Sequence, residues 1–121
     1  MAVTKVSQRE IIEVPFRLPD GQILPHPALV ISHDKLQNIE DGMFYAVLIS
    51  TKNHHPELTI PIKNEWLSKP MTKQSFFITH IINMLTVSDV IKKTNCYLRQ
   101  PHFDEVVDKI ISNVIDGEFN D

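Results

Sequence analysis

Between Glu10 and Lys52 the chain reads EIIEVPF (10–16), then HPALVIS (26–32), then MFYAVLISTK (43–52). Each run is short, rich in β-branched and aromatic residues, and bounded by turn residues, which is the pattern of strands in a small β core. Ile11 to Phe16 reads as the first strand. Arg17 to Pro25 holds Pro19-Asp20-Gly21 and reads as a hairpin connection, because proline presets one turn dihedral and glycine permits positive φ. Pro27 to Ser32 and Met43 to Ser50 are continuously apolar, as expected of strands buried on both faces or wrapped into a small barrel. The third run ends by delivering two hydroxyls and a lysine, Ser50-Thr51-Lys52, to the start of a loop. A rigid sheet presenting polar groups at a strand end is a common way to build a site.

Outward from this region the elements become shorter. Ser32-His33-Asp34-Lys35-Leu36 offers a capping residue and one or two helical turns, stopped near Asp41-Gly42. Thr51 to Glu57 is a polar loop containing His54-His55-Pro56. Leu58 to Ile62 is a short strand, which Pro61 marks as an edge. Asn64 to Leu67 is a turn, Gln74 to Leu85 holds a further apolar strand, Ser88 to Lys93 a helical turn, and Cys96 to Leu98 a short strand. Phe103, Val106, Val107, Ile110, Ile111, Val114 and Ile115 recur at the spacing of an amphipathic helix. Pro101 suits its start, Asp104 and Glu105 its first turn, and Gly117 its end. The expected fold is therefore mainly β with helices, an α+β chain in which a small barrel is braced by a C-terminal helix. Residues 1–121 read as one domain with residues 1–9 as a loosely held end.

Bulk properties narrow the function. With 42% hydrophobic and 22% charged residues over 121 positions, the chain has an ordinary globular balance and room for one core. The longest apolar run falls far short of the roughly 18 residues of a membrane span, and residues 1–10 lack the apolar stretch of a secretory signal. Cys96 is a lone cysteine, which fits a reducing cytoplasm. A net charge of -3 argues against a broad basic nucleic-acid surface, so any RNA contact falls to a local patch. Lys52, Lys63, Lys69, Lys73 and Arg17 are the candidates for such a patch.

The order of these elements, with His26-Pro27-Ala28-Leu29-Val30-Ile31-Ser32 and Ala46-Val47-Leu48-Ile49-Ser50 as its most specific parts, resembles the MazF/PemK family of toxin–antitoxin endoribonucleases, within the larger group that also holds the CcdB gyrase poisons. The resemblance spans residues 9 to 115. It implies an SH3-like barrel, a homodimer, an antitoxin partner, and cleavage of single-stranded RNA without a metal or other cofactor. Carried over position by position, the family's strand-end hydroxyl falls on Ser50, with Thr51 beside it. The arginine that precedes the proline of the second strand falls on His26. The family's Gly-Asp opening of the first strand is Arg9-Glu10 here. Arginine holds a phosphate with two parallel donors, which histidine cannot reproduce.

Metal-free RNA cleavage needs a base for the 2′-hydroxyl, an acid for the leaving 5′-oxygen, and donors for the phosphorane's charge. Histidine supplies acid or base near neutral pH, so His26, Ser50 and Thr51 form the candidate centre, with Arg17 and Lys52 as phosphate contacts. Each has a plainer reading. His26 also reads as a plain strand start, extended because it precedes a proline, and strand-end hydroxyls often bond locally. His54 and His55 are adjacent and point apart on an extended chain, so a solvated loop outweighs a metal grip. His80 reads as a half-buried core histidine with a backbone partner. His33 falls in the first turn of a short helix and His102 at the start of the last one. Trp66 reads either as a partner's anchor or as a cover for the barrel's end, and Cys96 as a small buried side chain. Three functions fit the pattern: an endoribonuclease toxin, a catalytically inactive module of the same barrel that lacks the arginine, or a CcdB-like inhibitor acting through its C-terminus. For the last, Phe119 is the available aromatic.

Overall fold

The computed structural model describes residue 3 and residues 5–116. They form β1 (Glu10–Arg17), β2 (Ile23–Val30), α1 (Asp34–Ile39), β3 (Met43–Ser50), β4 (Thr59–Pro61), β5 (Phe76–Thr86), β6 (Lys92–Tyr97) and α2 (Gln100–Ile110), the last followed by a π-turn over Ile111–Asp116. Short 3-10 turns at Pro56–Leu58, Asn64–Trp66 and Val87–Asp89 fill the connections. The strands make one antiparallel sheet in the order β4-β5-β3-β2-β1-β6. The fold is the mainly β, helix-braced α+β architecture expected. The sheet itself is open, with β4 and β6 as its edges. The extensions of those edges nevertheless meet: Leu67 and Leu98 form an antiparallel bridge, and Ser68 N–H donates to the Tyr97 carbonyl at 2.9 Å. The barrel is thus stitched at one point rather than laddered shut.

Successive residues of a strand point to opposite faces, and here both faces are covered. Ile11, Leu29, Val47 and Ile49 pack with Phe103, Val106 and Ile110 of α2. Their neighbours Ile12, Val14, Phe16, Ala28, Val30, Ala46 and Leu48 pack on the other side with Val6, Phe44 and Leu85. This two-sided burial is the physical reason the runs in β2 and β3 carry no polar alternation. The β1–β2 hairpin turns through Pro19, with Asp20 Oδ1 accepting the Gln22 N–H at 2.9 Å and Gly21 at φ 91°. Beyond α1, Gly42 sits at φ 90°, and a side chain there would meet Val87 Cγ2 at 2.9 Å.

Several local expectations are corrected. Strand two begins at Ile23, earlier than Pro27, because its first half pairs with β1 alone. The cap of α1 is His33, whose Nδ1 accepts the Lys35 N–H at 3.1 Å, while Ser32 Oγ instead accepts the Tyr45 N–H at 2.9 Å. Residues 1–9 are not a loose end where they are described: Val6 is fully buried and clasped by the Gln37 amide, and Gln8 N–H donates to Asp34 Oδ1 at 2.7 Å. The apolar spacing of the last helix runs to Ile115, but burial stops at Ile110, and Ile111, Val114 and Ile115 are exposed. The wider π-turn rotates the chain out of α-phase, so that Asn113 faces the body and its Nδ2 donates to Thr79 Oγ1 at 2.8 Å. Gly117, expected to end this helix, lies outside the described residues. Cys96 is buried, and no helix of the described residues is long and apolar enough to cross a membrane.

Because Phe103 joins α2 to the sheet, Phe103→Ala is expected to lower stability by about 3–5 kcal/mol in urea unfolding. Asp104→Ala, one position along on the exposed face, should stay within about 0.5 kcal/mol. Equal losses for the two would contradict this packing.

Candidate functional site

Pairing between β2 and β3 is confined to Ala28↔Leu48, Leu29↔Val47 and Val30↔Ala46. Past that point both strands continue, β2 back to Ile23 and β3 on to Ser50. The reason lies in the backbone. In an antiparallel sheet, the N–H and C=O of one residue face the same neighbour, and alternate residues face alternate neighbours. Ile31 N–H donates to the Tyr45 carbonyl at 3.0 Å, so Ile31, Leu29, Pro27 and Pro25 are the residues of this segment that face β3. Two of them are prolines, which have no N–H to give. The intervening His26 faces β1, where it pairs with Val14. The ladder to β3 therefore ends where its donors end, while the ladder to β1 is complete.

A cavity of about 770 Å³ occupies the divergence. Leu24, His26 and Pro27 line it from β2, and Leu48, Ile49, Ser50, Thr51 and Lys52 from β3 and its exit. The same register extended by two residues would set His26 opposite Ser50. His26 and Ser50 are half-buried, and Thr51 and Lys52 are exposed. Ser50 Oγ accepts the Lys52 N–H at 3.1 Å, which folds the strand exit into a tight turn and leaves the hydroxyl's own proton free to donate. His26, Ser50, Thr51 and Lys52 are thus brought to one hollow. Arg17 is not: it stands exposed at the foot of the hairpin, its N–H bound to Asn83 Oδ1 at 2.7 Å, while the hairpin tip from Leu18 to Gln22 reaches the cavity without it. Lys63 and Lys73 line a separate hollow of about 310 Å³, which shares Ser75 with the larger one.

The structure adds residues that spacing did not reveal. His54, His55 and His80 also line the cavity, joining His26. His54 and His55 are exposed, in keeping with a solvated loop, yet the loop folds over the hollow. His80 is carried there by a distortion of β5. The β3–β5 register jumps from Val47↔Ile82 to Leu48↔Ile78, so Thr79, His80 and Ile81 are extra residues with no partners on β3. Thr79 pins the bulge by donating to the Leu58 carbonyl at 2.6 Å. The His55 ring meets the His80 ring edge-on with centroids 6.0 Å apart. Contrary to the sequence reading, His80 has no backbone partner at Nδ1, which is buried and unbonded among the described residues. Burial holds the His80 pKa below the ordinary histidine value, His55 lowers it further, and Glu57 acts in the opposite direction. Of the remaining histidines, His102 stacks on Trp66 at 4.6 Å, away from the cavity lining. No group of three His, Cys, Asp or Glu side chains among the described residues is placed to hold a metal ion.

A family model described as PemK-like, MazF-like toxin of type II toxin-antitoxin system matches residues 7–114. Among solved structures, the chain is similar to MazF from Deinococcus radiodurans, with a TM-score of 0.72 at 13% identity, covering 89% of this chain and 94% of that one. It is also similar to a MazF toxin of Mycobacterium tuberculosis, with a TM-score of 0.61 at 13% identity over 87% of this chain and 94% of that one. An endoribonuclease in complex with its cognate antitoxin, from a mycobacterial species, gives a TM-score of 0.61 at 14% identity over 88% and 91%. No curated protein matches the chain in sequence. At such identities the structural likenesses establish the fold.

Two outcomes follow from the geometry. Pro27→Ala restores a donor facing β3, and its new amide is expected to exchange slowly with solvent, bonded to the Ile49 carbonyl. Exchange at the rate of a free peptide would contradict the register. His80 titrates lower in the folded chain than in the unfolded one, so its contribution to stability is present above about pH 6.5 and is lost as pH falls and the unfolded state takes up the proton first. His80→Asn should therefore flatten the decline in urea midpoint between neutral and mildly acidic pH.

Proposed function

The chain belongs to the PemK-like, MazF-like toxin family of type II toxin–antitoxin systems, and from that premise we propose that it is an endoribonuclease cutting single-stranded RNA without a metal. The observation that supports this most is the shared hollow at the β2–β3 divergence, where a histidine, two hydroxyls and a lysine meet on rigid strand ends. In the proposed reaction the 2′-oxygen attacks the adjacent phosphorus, the P–O5′ bond breaks, and the products carry a 2′,3′-cyclic phosphate and a 5′-hydroxyl. His26 transfers a proton in this exchange. Ser50 and Thr51 donate hydrogen bonds to the non-bridging oxygens, whose charge grows in the transition state. Lys52 supplies the positive charge that the family's arginine would bring, as a point charge rather than a fork. Arg17, outside the cavity, holds the strand that flanks the cut.

On this reading the chain works in the cytoplasm, needs no cofactor, pairs with a second copy of itself, and is restrained by an antitoxin protein. The neighbour solved with its cognate antitoxin supports that last partner. Net charge of -3 makes RNA binding local and dependent on few cations.

Incubation of the purified protein with mixed-sequence single-stranded RNA tests the proposal. Cleavage with cyclic phosphate ends is expected, and His26→Ala should slow it about 10²–10⁴-fold, the range for losing one proton-transfer group. Ser50→Ala should reduce turnover while leaving RNA binding intact. Lys52→Ala should weaken binding and reduce the salt slope by about one. Folded protein that binds RNA and leaves it uncut from acid to alkaline pH would replace this reading with a silent binding module.

A further inference from the structure

The bulge of β5 brings to the cavity a histidine that neither the family position of the arginine nor the strand-end hydroxyls account for. Most buried polar atoms in proteins are bonded, and an aliphatic side chain at position 80 would fill the same space without leaving a nitrogen unpartnered. His80 departs from both expectations. Its Nδ1 is enclosed and unbonded among the described residues, and its ring lines the same hollow as His26 and Ser50. Position 80 is also held firmly. Thr79, its neighbour, is tied to the Leu58 carbonyl and to Asn113 Nδ2. The His55 ring abuts the His80 ring at 6.0 Å, and His55 itself lies beside Glu57, Nδ1 to Oε1 3.8 Å.

We propose that His80 is a catalytic residue of this site, the general base that takes the 2′-hydroxyl proton through Nε2 while His26 acts as the acid. The proposal rests on the nuclease reading and deepens it. With Nδ1 enclosed, Nε2 is the nitrogen left for a ligand in the cavity. For Nε2 to accept a proton the neutral ring carries its one hydrogen on Nδ1, and burial, which disfavours the charged ring, keeps the free imidazole in a neutral form. The balance is closed by two histidines working in opposite senses. The proton leaves the 2′-oxygen for His80 as the P–O2′ bond forms, a proton passes from His26 to the 5′-oxygen as the P–O5′ bond breaks, and solvent then restores both. The His55 ring abuts His80 and Glu57 lies in its field, while Lys52, His54, Asp20 and His26 are the other titratable groups that line the hollow. Of these, His55 opposes protonation of His80 and Glu57 favours it.

The experiment compares the wild type with His80→Ala and His80→Asn by the pH dependence of single-turnover RNA cleavage. Thermal unfolding of each variant checks that the fold is retained. The wild type is expected to lose rate on the acid side as His80 protonates. Both variants should be slower by about 10²–10⁴-fold and should lack that acid limb. Added imidazole should restore part of the rate to His80→Ala. A folded variant with full rate and an unchanged acid limb, or a folded His80→Ala that imidazole leaves untouched, overturns the role of His80 while the nuclease reading stands on the wild type's activity. A wild type that cuts no RNA overturns both.

Discussion

Two missing backbone donors on one side of β2 hold the key to this molecule. Sheets close gaps between neighbouring strands because a buried N–H or C=O without a partner is expensive. Pro25 and Pro27 remove that option at two successive positions that face β3. The side facing β1 keeps its pairing from Ile23 to Leu29. One strand is thus anchored along one edge and released along the other. The cavity is a tear in the sheet, not a hollow between layers, and its walls are strand backbones stiffened by apolar packing on both faces.

A tear of this kind has chemical consequences. Side chains at its margins face water while their backbones stay fixed, which is the condition for pre-organised groups. His26 is held by its pairing to Val14, Ser50 by the Lys52 amide, and His80 by the pinned bulge next to it. The bulge falls at the level where the prolines end the β2–β3 ladder. Where β2 stops supporting β3 on one side, β5 on the other side also breaks register, between Val47 and Leu48. Both irregularities fall at the same level of β3, and both feed residues into one space.

What could be read from the residues reflects which contacts are local. The strands from Ile11 to Ser50 announce themselves through composition, and α2 through its spacing, because those signals arise within a few residues. His26 and Ser50–Lys52 were legible for the same reason: they border strands whose antiparallel order brings them to one end. Arg17 borders a strand too, but the hairpin turn carries Leu18 to Gln22 into the cavity and leaves it aside. The packing of Val6 depends on Gln37, 31 residues away. The bulge at Thr79–Ile81 lies in a stretch with no glycine or proline to mark it, so His80 looked like any histidine in an apolar strand. The phase change at Ile111 is hidden likewise, since the apolar spacing continues through it to Ile115.

Where the family resemblance puts an arginine, this chain has His26, which on the proposed reading changes the kind of site more than its location. An arginine is charged at every accessible pH and clamps a phosphate through two parallel bonds. A histidine gives up the clamp and gains the ability to move a proton. On the proposed nuclease reading, phosphate binding leans on Lys52 and on backbone and hydroxyl donors, while proton transfer has more candidates, since four of the six histidines line the hollow. Within that lining, His55 makes protonation of His80 harder. Metal-free RNA cleavage requires one group protonated and another bare at the same moment. On the proposed reading His26 and His80 take those two roles, and the proline-made tear is what gathers them.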